Sequence, residues 1–139
     1  MSNDKLLTDK PALTLAGAKK ILAAAEAEAL KHAWPVVIAV VDDGGNLISL
    51  QRLDNAQFGS VEIAIRKAKA AVAFKRPTKA WEESLAEGQH RVLGLPGVIP
   101  SEGGLPLAWK GQIVGAIGVS GVKATEDGQI ARAGATILE

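Results

Sequence analysis

Two histidines and one loop carboxylate are the side chains in this sequence best suited to moving a proton or binding a metal. His90 precedes a segment rich in glycine and proline, and Glu102 lies inside that segment, beside Gly103 and Gly104. A histidine or a carboxylate at the mouth of a pocket can serve as a general acid or base. The pattern therefore makes His90 and Glu102 candidate catalytic and ligand-binding residues, with a solvated surface position as the alternative interpretation for each.

The second histidine, His32, lies where the first predicted helix ends. A cation at that position interacts favourably with the helix dipole, so a structural role competes with a ligand role. Neither His32 nor His90 has a second histidine or a carboxylate at the spacing of a zinc site. The sequence therefore does not predict a tetrahedral metal centre.

A basic helix face is the third chemical feature. Arg66, Lys67 and Lys69 lie close together on a predicted helix, and Arg76 follows near its end. Guanidinium and ammonium groups bind carboxylates through charge-assisted hydrogen bonds. Glu62 stands at the spacing of a local ion pair with Arg66, worth roughly a few tenths of a kcal/mol. Two interpretations stay open, a solvated helix face or an anion-binding site.

The segment Gly94–Gly104 is the expected ligand-facing part of the chain. Glycine is favoured where the backbone must approach a ligand or a neighbouring segment closely. Gly103 and Gly104 are therefore candidate ligand-binding residues. Gly115 and Gly118 lie in a predicted central strand, where we expect them to serve packing.

The composition excludes several classes of site. The 139 residues include no cysteine and no tyrosine, which rules out disulfides, thiolate nucleophiles, iron–sulfur clusters and haem ligation by either residue type. The net charge of +1, with acidic and basic residues intermixed, gives no nucleic-acid footprint. Because no apolar run reaches membrane-spanning length and no secretory pattern is present, we expect a cytoplasmic protein with neither nucleic acid nor membrane as a partner.

The elements that position these residues follow in the order helix, two strands, two helices, two or three strands, helix. Predicted strands are Val36–Val41, Leu47–Leu53, Leu105–Lys110 and Gln112–Ser120, and predicted helix caps are Thr14, Ser60, Thr78 and Thr125. Strands in hairpin pairs give a mostly antiparallel sheet, against which helices pack. We therefore predict a loose arm over residues 1–13 and a single α+β domain over 14–139, of the profilin-like or PAS-like kind.

Several segments, in this order and spacing, carry a family resemblance that runs from about Leu13 to Leu138. They are VVIAVVDDGG at Val36–Gly45, Leu47–Asp54, KAKAAVAFKRP at Lys67–Pro77 with Thr78, Leu95–Gly97, Gly103–Leu107, GAIGVSG at Gly115–Gly121, and Glu126 with Asp127. Together they resemble the GlcG/HbpS family of haem-binding proteins, which also includes the C-terminal domain of PduO-type cobalamin adenosyltransferases.

The resemblance implies a profilin-like α/β sandwich with a mostly antiparallel five-stranded sheet, and it implies homo-oligomers. It also implies haem as a cofactor, because some relatives bind haem and some are linked to its degradation. The axial ligand would then be His90 or His32, with Lys110 as an unusual substitute. Three cations would meet the propionates, namely Arg66, Lys69 and Arg76.

Three functions follow as alternatives, and whether the chain is an enzyme stays open. The first is a haem-binding or other small-ligand-binding protein. The second is a small catabolic enzyme, an isomerase, tautomerase or hydratase, in which Arg66 or Lys69 holds an organic acid and Glu102 or His90 moves a proton. The third is an accessory oligomeric subunit without catalysis.

Overall fold

The computed structural model describes residues 6–139, which form a sheet with helices on both faces. The elements are α1 (Leu15–Lys31), β1 (Val37–Asp42), β2 (Leu47–Arg52), α2 (Ser60–Phe74), α3 (Thr78–Ala86), β3 (Gly104–Trp109), β4 (Gln112–Ser120) and α4 (Ala124–Ala135). Two 3₁₀ turns, His90–Gly94 and Thr136–Leu138, complete them. The predicted α+β class and the predicted element order are confirmed.

The sheet has four strands in the order β2-β1-β4-β3, and every neighbouring pair is antiparallel. Two hairpins, β1–β2 and β3–β4, are joined by pairing between β1 and β4. The antiparallel arrangement is as predicted, but the expected fifth strand is absent from the residues that the structure describes. The long connection before β3, residues 95–103, contains no residue in strand conformation.

The central strands are buried on both faces. Ile38 and Val40 of β1 belong to the core cluster beneath α1 and α4, whereas Ala39 and Val41 pack with residues of α2 on the opposite face. All four side chains are fully buried. This continuous apolar run is what a strand needs when helices cover both sides of it.

Glycines let the layers approach one another closely. A Cβ added to Gly118 of β4 would clash with the backbone oxygen of Ala64 on α2. A Cβ added to Gly115 would clash with the backbone oxygen of Val41 on the neighbouring strand. Both positions therefore serve packing, as the sequence predicted, and Gly118 sets how closely α2 lies against the sheet.

Two hydroxyls that were expected to cap helices instead connect layers. Ser60 lies inside the first turn of α2 and its buried Oγ is 3.1 Å from Ser120 Oγ on β4. Thr78 Oγ1, at the start of α3, accepts a hydrogen bond of 2.9 Å from the backbone N–H of Gly104. The cap predictions for Ser60 and Thr78 are wrong, because both hydroxyls have partners in distant segments. The cap prediction for Thr125 is also wrong, because α4 begins at Ala124 and its N-cap residue is Lys123.

Candidate functional site

The basic face of α2 lines a groove of about 440 Å³. One wall consists of Glu62, Ile65, Arg66 and Lys69, and the other is the segment 97–99. The spacing of the four helix residues places them on a single face of α2. The structure therefore brings Arg66 and Lys69, two of the predicted ligand-binding residues, to one concave surface.

The groove combines charge with apolar walls. Ile65 on α2 and Val98 and Ile99 on the opposite wall are partly buried and present hydrocarbon surface. Gly97 has a φ of +81°, which only glycine adopts easily, and this turn brings the second wall into place. Apolar walls with a few polar groups are the usual composition of small-molecule sites.

The two cations of the groove differ in their partners. Arg66 donates from Nε at 3.1 Å and from Nη2 at 2.7 Å to Oε1 of Glu62. Both side chains of this pair remain largely exposed, at 59% for Arg66 and 70% for Glu62. Lys69 is exposed and has no carboxylate partner within residues 6–139. One groove cation is thus neutralised by its neighbour and the other is available to a ligand.

Arg76 lies apart from the groove. Its guanidinium carbon is 4.8 Å from the centre of the Trp81 ring, and its Nε donates at 3.0 Å to the backbone oxygen of Phe74. Arg76 therefore covers Trp81 at the junction of α2 and α3, and it does not line the groove of Arg66 and Lys69.

The two histidines lie on different elements and share no contact. His90 is exposed and begins the 3₁₀ turn His90–Gly94, which leads along the chain into the second wall of the groove. His32 follows α1, where its Nε2 is 3.1 Å from Glu28 Oε2 and its ring stacks on Trp34 at 4.3 Å between centroids. His32 thus has structural partners at a helix end, as its position in the sequence suggested.

Lys110, named as an unusual iron ligand, lies in the β3–β4 turn. Its ammonium is 4.4 Å from the centre of the Trp109 ring. The side chain therefore covers an exposed aromatic residue and does not line the groove on α2.

Glu102 is buried, with 5% of its surface exposed, and is not the solvated loop residue that the sequence offered as an alternative. Its Oε2 accepts a hydrogen bond of 3.1 Å from Arg132 of α4, and its Oε1 is buried without a partner among the described residues. The carboxylate lies against Gly128, where any side chain would clash with it. Nothing in the geometry connects Glu102 to the exposed His90.

Gly103 and Gly104 surround a buried lysine. A Cβ on Gly103 would lie 2.5 Å from the backbone oxygen of Val119 and 2.8 Å from Lys67 Nζ. A Cβ on Gly104 would clash with the backbone oxygen of Lys67 and approach Thr78 Cγ2 to 2.7 Å. These two glycines therefore make room for Lys67, and neither lines the groove on α2.

Lys67 is the main feature that sequence reasoning missed, because it appeared there as part of a basic surface. Its side chain is 2% exposed, and Nζ lies 3.1 Å from Asp127 Oδ2 and 3.0 Å from the backbone oxygen of Val119. Burial raises the pKa of Asp127 to about 6, since lost hydration outweighs the attraction of the Lys67 ammonium. Small alanines around Lys67 on α2 were the only signal that a long side chain could pass inward there.

Two further features, a metal-binding cluster and a membrane-spanning helix, are absent from the described residues. Between Leu6 and Glu139, no three histidine, aspartate or glutamate side chains are grouped so that they could hold a metal ion. Over the same residues, no helix has the length and apolar character needed to cross a bilayer.

Comparison with known proteins identifies the relatives of this chain. A family model described as "Haem degrading protein HbpS-like" matches residues 13–136. Protein GlcG of Escherichia coli K12 is 42% identical over 103 residues, which are 74% of this chain and 77% of GlcG.

Solved structures of related proteins have the same fold as this chain. A crystal structure of a double mutant of Streptomyces reticuli HbpS is 38% identical, has a TM-score of 0.87 and is matched over 96% of this chain and 92% of that one. A crystal structure of a PduOC–haem complex is 27% identical, with a TM-score of 0.84 over 93% of this chain and 96% of the other. The sequence resemblance was correct, and the chain belongs to the HbpS-like family, which includes GlcG.

Proposed function

We propose that this chain binds haem, or a small anionic ligand with a similar planar apolar body, in the groove between α2 and residues 97–99. The observation that carries the proposal is the combination of cations and hydrocarbon surface in one concave site of about 440 Å³. A tetrapyrrole with two propionates has the same two kinds of surface. The description of the family as haem-degrading and the PduOC–haem complex support this choice of ligand.

The groove residues fit the ligand's chemistry in a definite way. Lys69 and Arg66 would hold carboxylates, and Ile65, Val98 and Ile99 would cover part of the apolar ring. His90 is the candidate iron ligand, because it is exposed and the chain runs from its turn to the groove wall, although His90 does not itself line the groove. His32 is already engaged by Glu28 and Trp34. Bound haem would supply a redox-active iron, and the proposed role is haem handling.

Titration of the purified protein with hemin tests the proposal. We expect a Soret band that saturates at one haem per subunit, and weaker binding when Arg66→Gln and Lys69→Gln are combined. The control is Lys79→Gln, which removes an exposed cation from α3 outside the groove. The proposed site is wrong if the double variant binds hemin as tightly as the control does.

We also propose that the chain forms a homo-oligomer. Phe58 is 83% exposed and Leu93 is 67% exposed, and an interface between subunits over these side chains would remove their apolar surface from water. Light scattering that returned the mass of a single chain would contradict this proposal.

The enzyme hypothesis stays a prediction. The Glu102 carboxylate is buried and accepts a hydrogen bond from the half-exposed Arg132, and no contact joins Glu102 to His90.

A further inference from the structure

We infer that Glu62 is an internal competitor for the ligand's carboxylate and so determines which ligands the groove accepts. The inference rests on the proposed function of the groove. Glu62 occupies the guanidinium of Arg66 with the same chemical group, a carboxylate, that a ligand would bring to it. A ligand carboxylate can engage Arg66 fully only after Glu62 has been displaced.

The arrangement of charges on α2 sets the order of events. Lys69 is the available cation in the groove, so one ligand carboxylate pairs there without breaking any contact in the protein. A second carboxylate must exchange with Glu62 at Arg66. A ligand with two carboxylates and an apolar body between them therefore gains more than a ligand with one, and the groove selects for it.

The exposure of the Glu62–Arg66 pair makes this exchange feasible. Solvent-exposed ion pairs contribute little net free energy, so Glu62 can leave Arg66 at small cost. Lys67, on the same helix, differs from Arg66 because it is paired with Asp127 inside the protein. A ligand carboxylate cannot take the place of that buried partner. Removal of the Glu62 charge should raise affinity by a factor of about two to five.

Metal-free protoporphyrin IX is the probe, because it carries two carboxylates and has no iron to be ligated by histidine. Binding would be followed by porphyrin fluorescence for the wild type, Glu62→Gln and Glu83→Gln. Glu83 is an exposed glutamate of α3 outside the groove, so its variant makes the same change in net charge. We expect Glu62→Gln to bind protoporphyrin IX about two- to fivefold more tightly than both others, with less gain in high salt.

Two further measurements separate competition at Arg66 from a general effect of charge. Protoporphyrin IX dimethyl ester, which has no carboxylate, should bind the wild type and Glu62→Gln equally. The gain from Glu62→Gln should disappear in an Arg66→Gln background, because no guanidinium is left to be released.

The outcomes distinguish the inference from the function on which it rests. If the wild type binds protoporphyrin IX and Arg66→Gln weakens binding, but Glu62→Gln binds no tighter than Glu83→Gln, the role of Glu62 is refuted and the groove stands. If Arg66→Gln and Lys69→Gln leave binding unchanged, or no binding occurs, the proposed site and the inference both fall. Unchanged circular dichroism of the variants excludes unfolding as the cause.

Discussion

Replacing Lys67 with methionine should strongly destabilise the protein. The methionine fills a similar space but leaves the carboxylate of Asp127, 3% exposed, without the ammonium that lies 3.1 Å away. It also removes the hydrogen bond to the backbone oxygen of Val119. Breaking a buried ion pair by removing one partner typically costs about 3–5 kcal/mol, because the remaining charge stays buried. We expect a loss of this size in the free energy of unfolding at pH 8.

The loss of unfolding free energy caused by Lys67→Met should become smaller as the pH falls. Asp127 has a pKa raised from 3.8 to about 6 in the folded protein, so its contribution to stability is present below pH 3.8 and is lost as the pH rises through 6. At about 1.4 kcal/mol per pKa unit, the difference amounts to about 3 kcal/mol. Without Lys67 the pKa of Asp127 rises further, so the carboxyl is neutral over more of the acidic range. The cost of Lys67→Met should therefore shrink from pH 8 towards pH 5.

Urea unfolding followed by tryptophan fluorescence at pH 5 to 8 measures both effects. The matched control is Lys69→Met, the same change on the same helix at an exposed side chain, which should alter the free energy of unfolding by less than about 0.5 kcal/mol. Adding Asp127→Leu to Lys67→Met should restore much of the stability, because no buried charge then remains. Equal costs for Lys67→Met and Lys69→Met, or a cost that grows towards acid, would refute the role assigned to the pair.

Three further predictions address the ligand, the glycines and assembly. His90→Ala should shift the Soret band of the hemin complex, whereas His32→Ala should leave it unchanged. If the hemin complex of His90→Ala has the same spectrum as that of the wild type, His90 is not the iron ligand. Gly103→Ala, at a φ of +137° and with a Cβ that would lie 2.5 Å from Val119 O, should lower the free energy of unfolding by about 2 kcal/mol or more. Gly88→Ala, at a φ of +93° with open space around it, should cost about 1 kcal/mol, and equal losses in chemical denaturation would show that clash at Gly103 is unimportant. Phe58→Ser should reduce the mass seen by light scattering, because it removes an exposed apolar side chain that we assign to a subunit interface, and an unchanged mass would contradict that assignment.

Local sequence signals predicted the framework of the fold well. The β-branched run before Asp42 and the glycines after it predicted the first hairpin, and the structure has that turn held by three hydrogen bonds to Asp42 Oδ1. Thr14 was predicted to cap the first helix, and its Oγ1 accepts from Gly17 N at 3.0 Å. These features depend on residues a few positions apart, so the chain carries the information locally.

The interior of the candidate region was not predictable in the same way. Lys67 and Asp127 are 60 residues apart in sequence, and Ser60 and Ser120 are separated by the same number. Helical periodicity identifies the inward-facing side of a helix only where that side carries clearly apolar residues. The residues around Lys67 are mostly alanines, which suit a buried or an exposed position equally. The depth of Glu102 likewise depends on Gly128, far along the chain, which leaves space for its carboxylate.

Lys67 and Lys69 show how one helix separates stability from binding. Two residues along an α-helix turn the side-chain direction by about 200°, so one lysine points into the protein while the other faces the groove. The inward lysine fixes α2 to α4, and Gly118 sets its distance from the sheet, so together they hold the helix face on which Arg66 and Lys69 stand. Lys69→Gln should then weaken ligand binding at constant stability, whereas Lys67→Met should lower stability and disturb the groove without removing any group that contacts the ligand. Reduced affinity in both variants with reduced stability in only one would identify α2 as the structural support of the binding site.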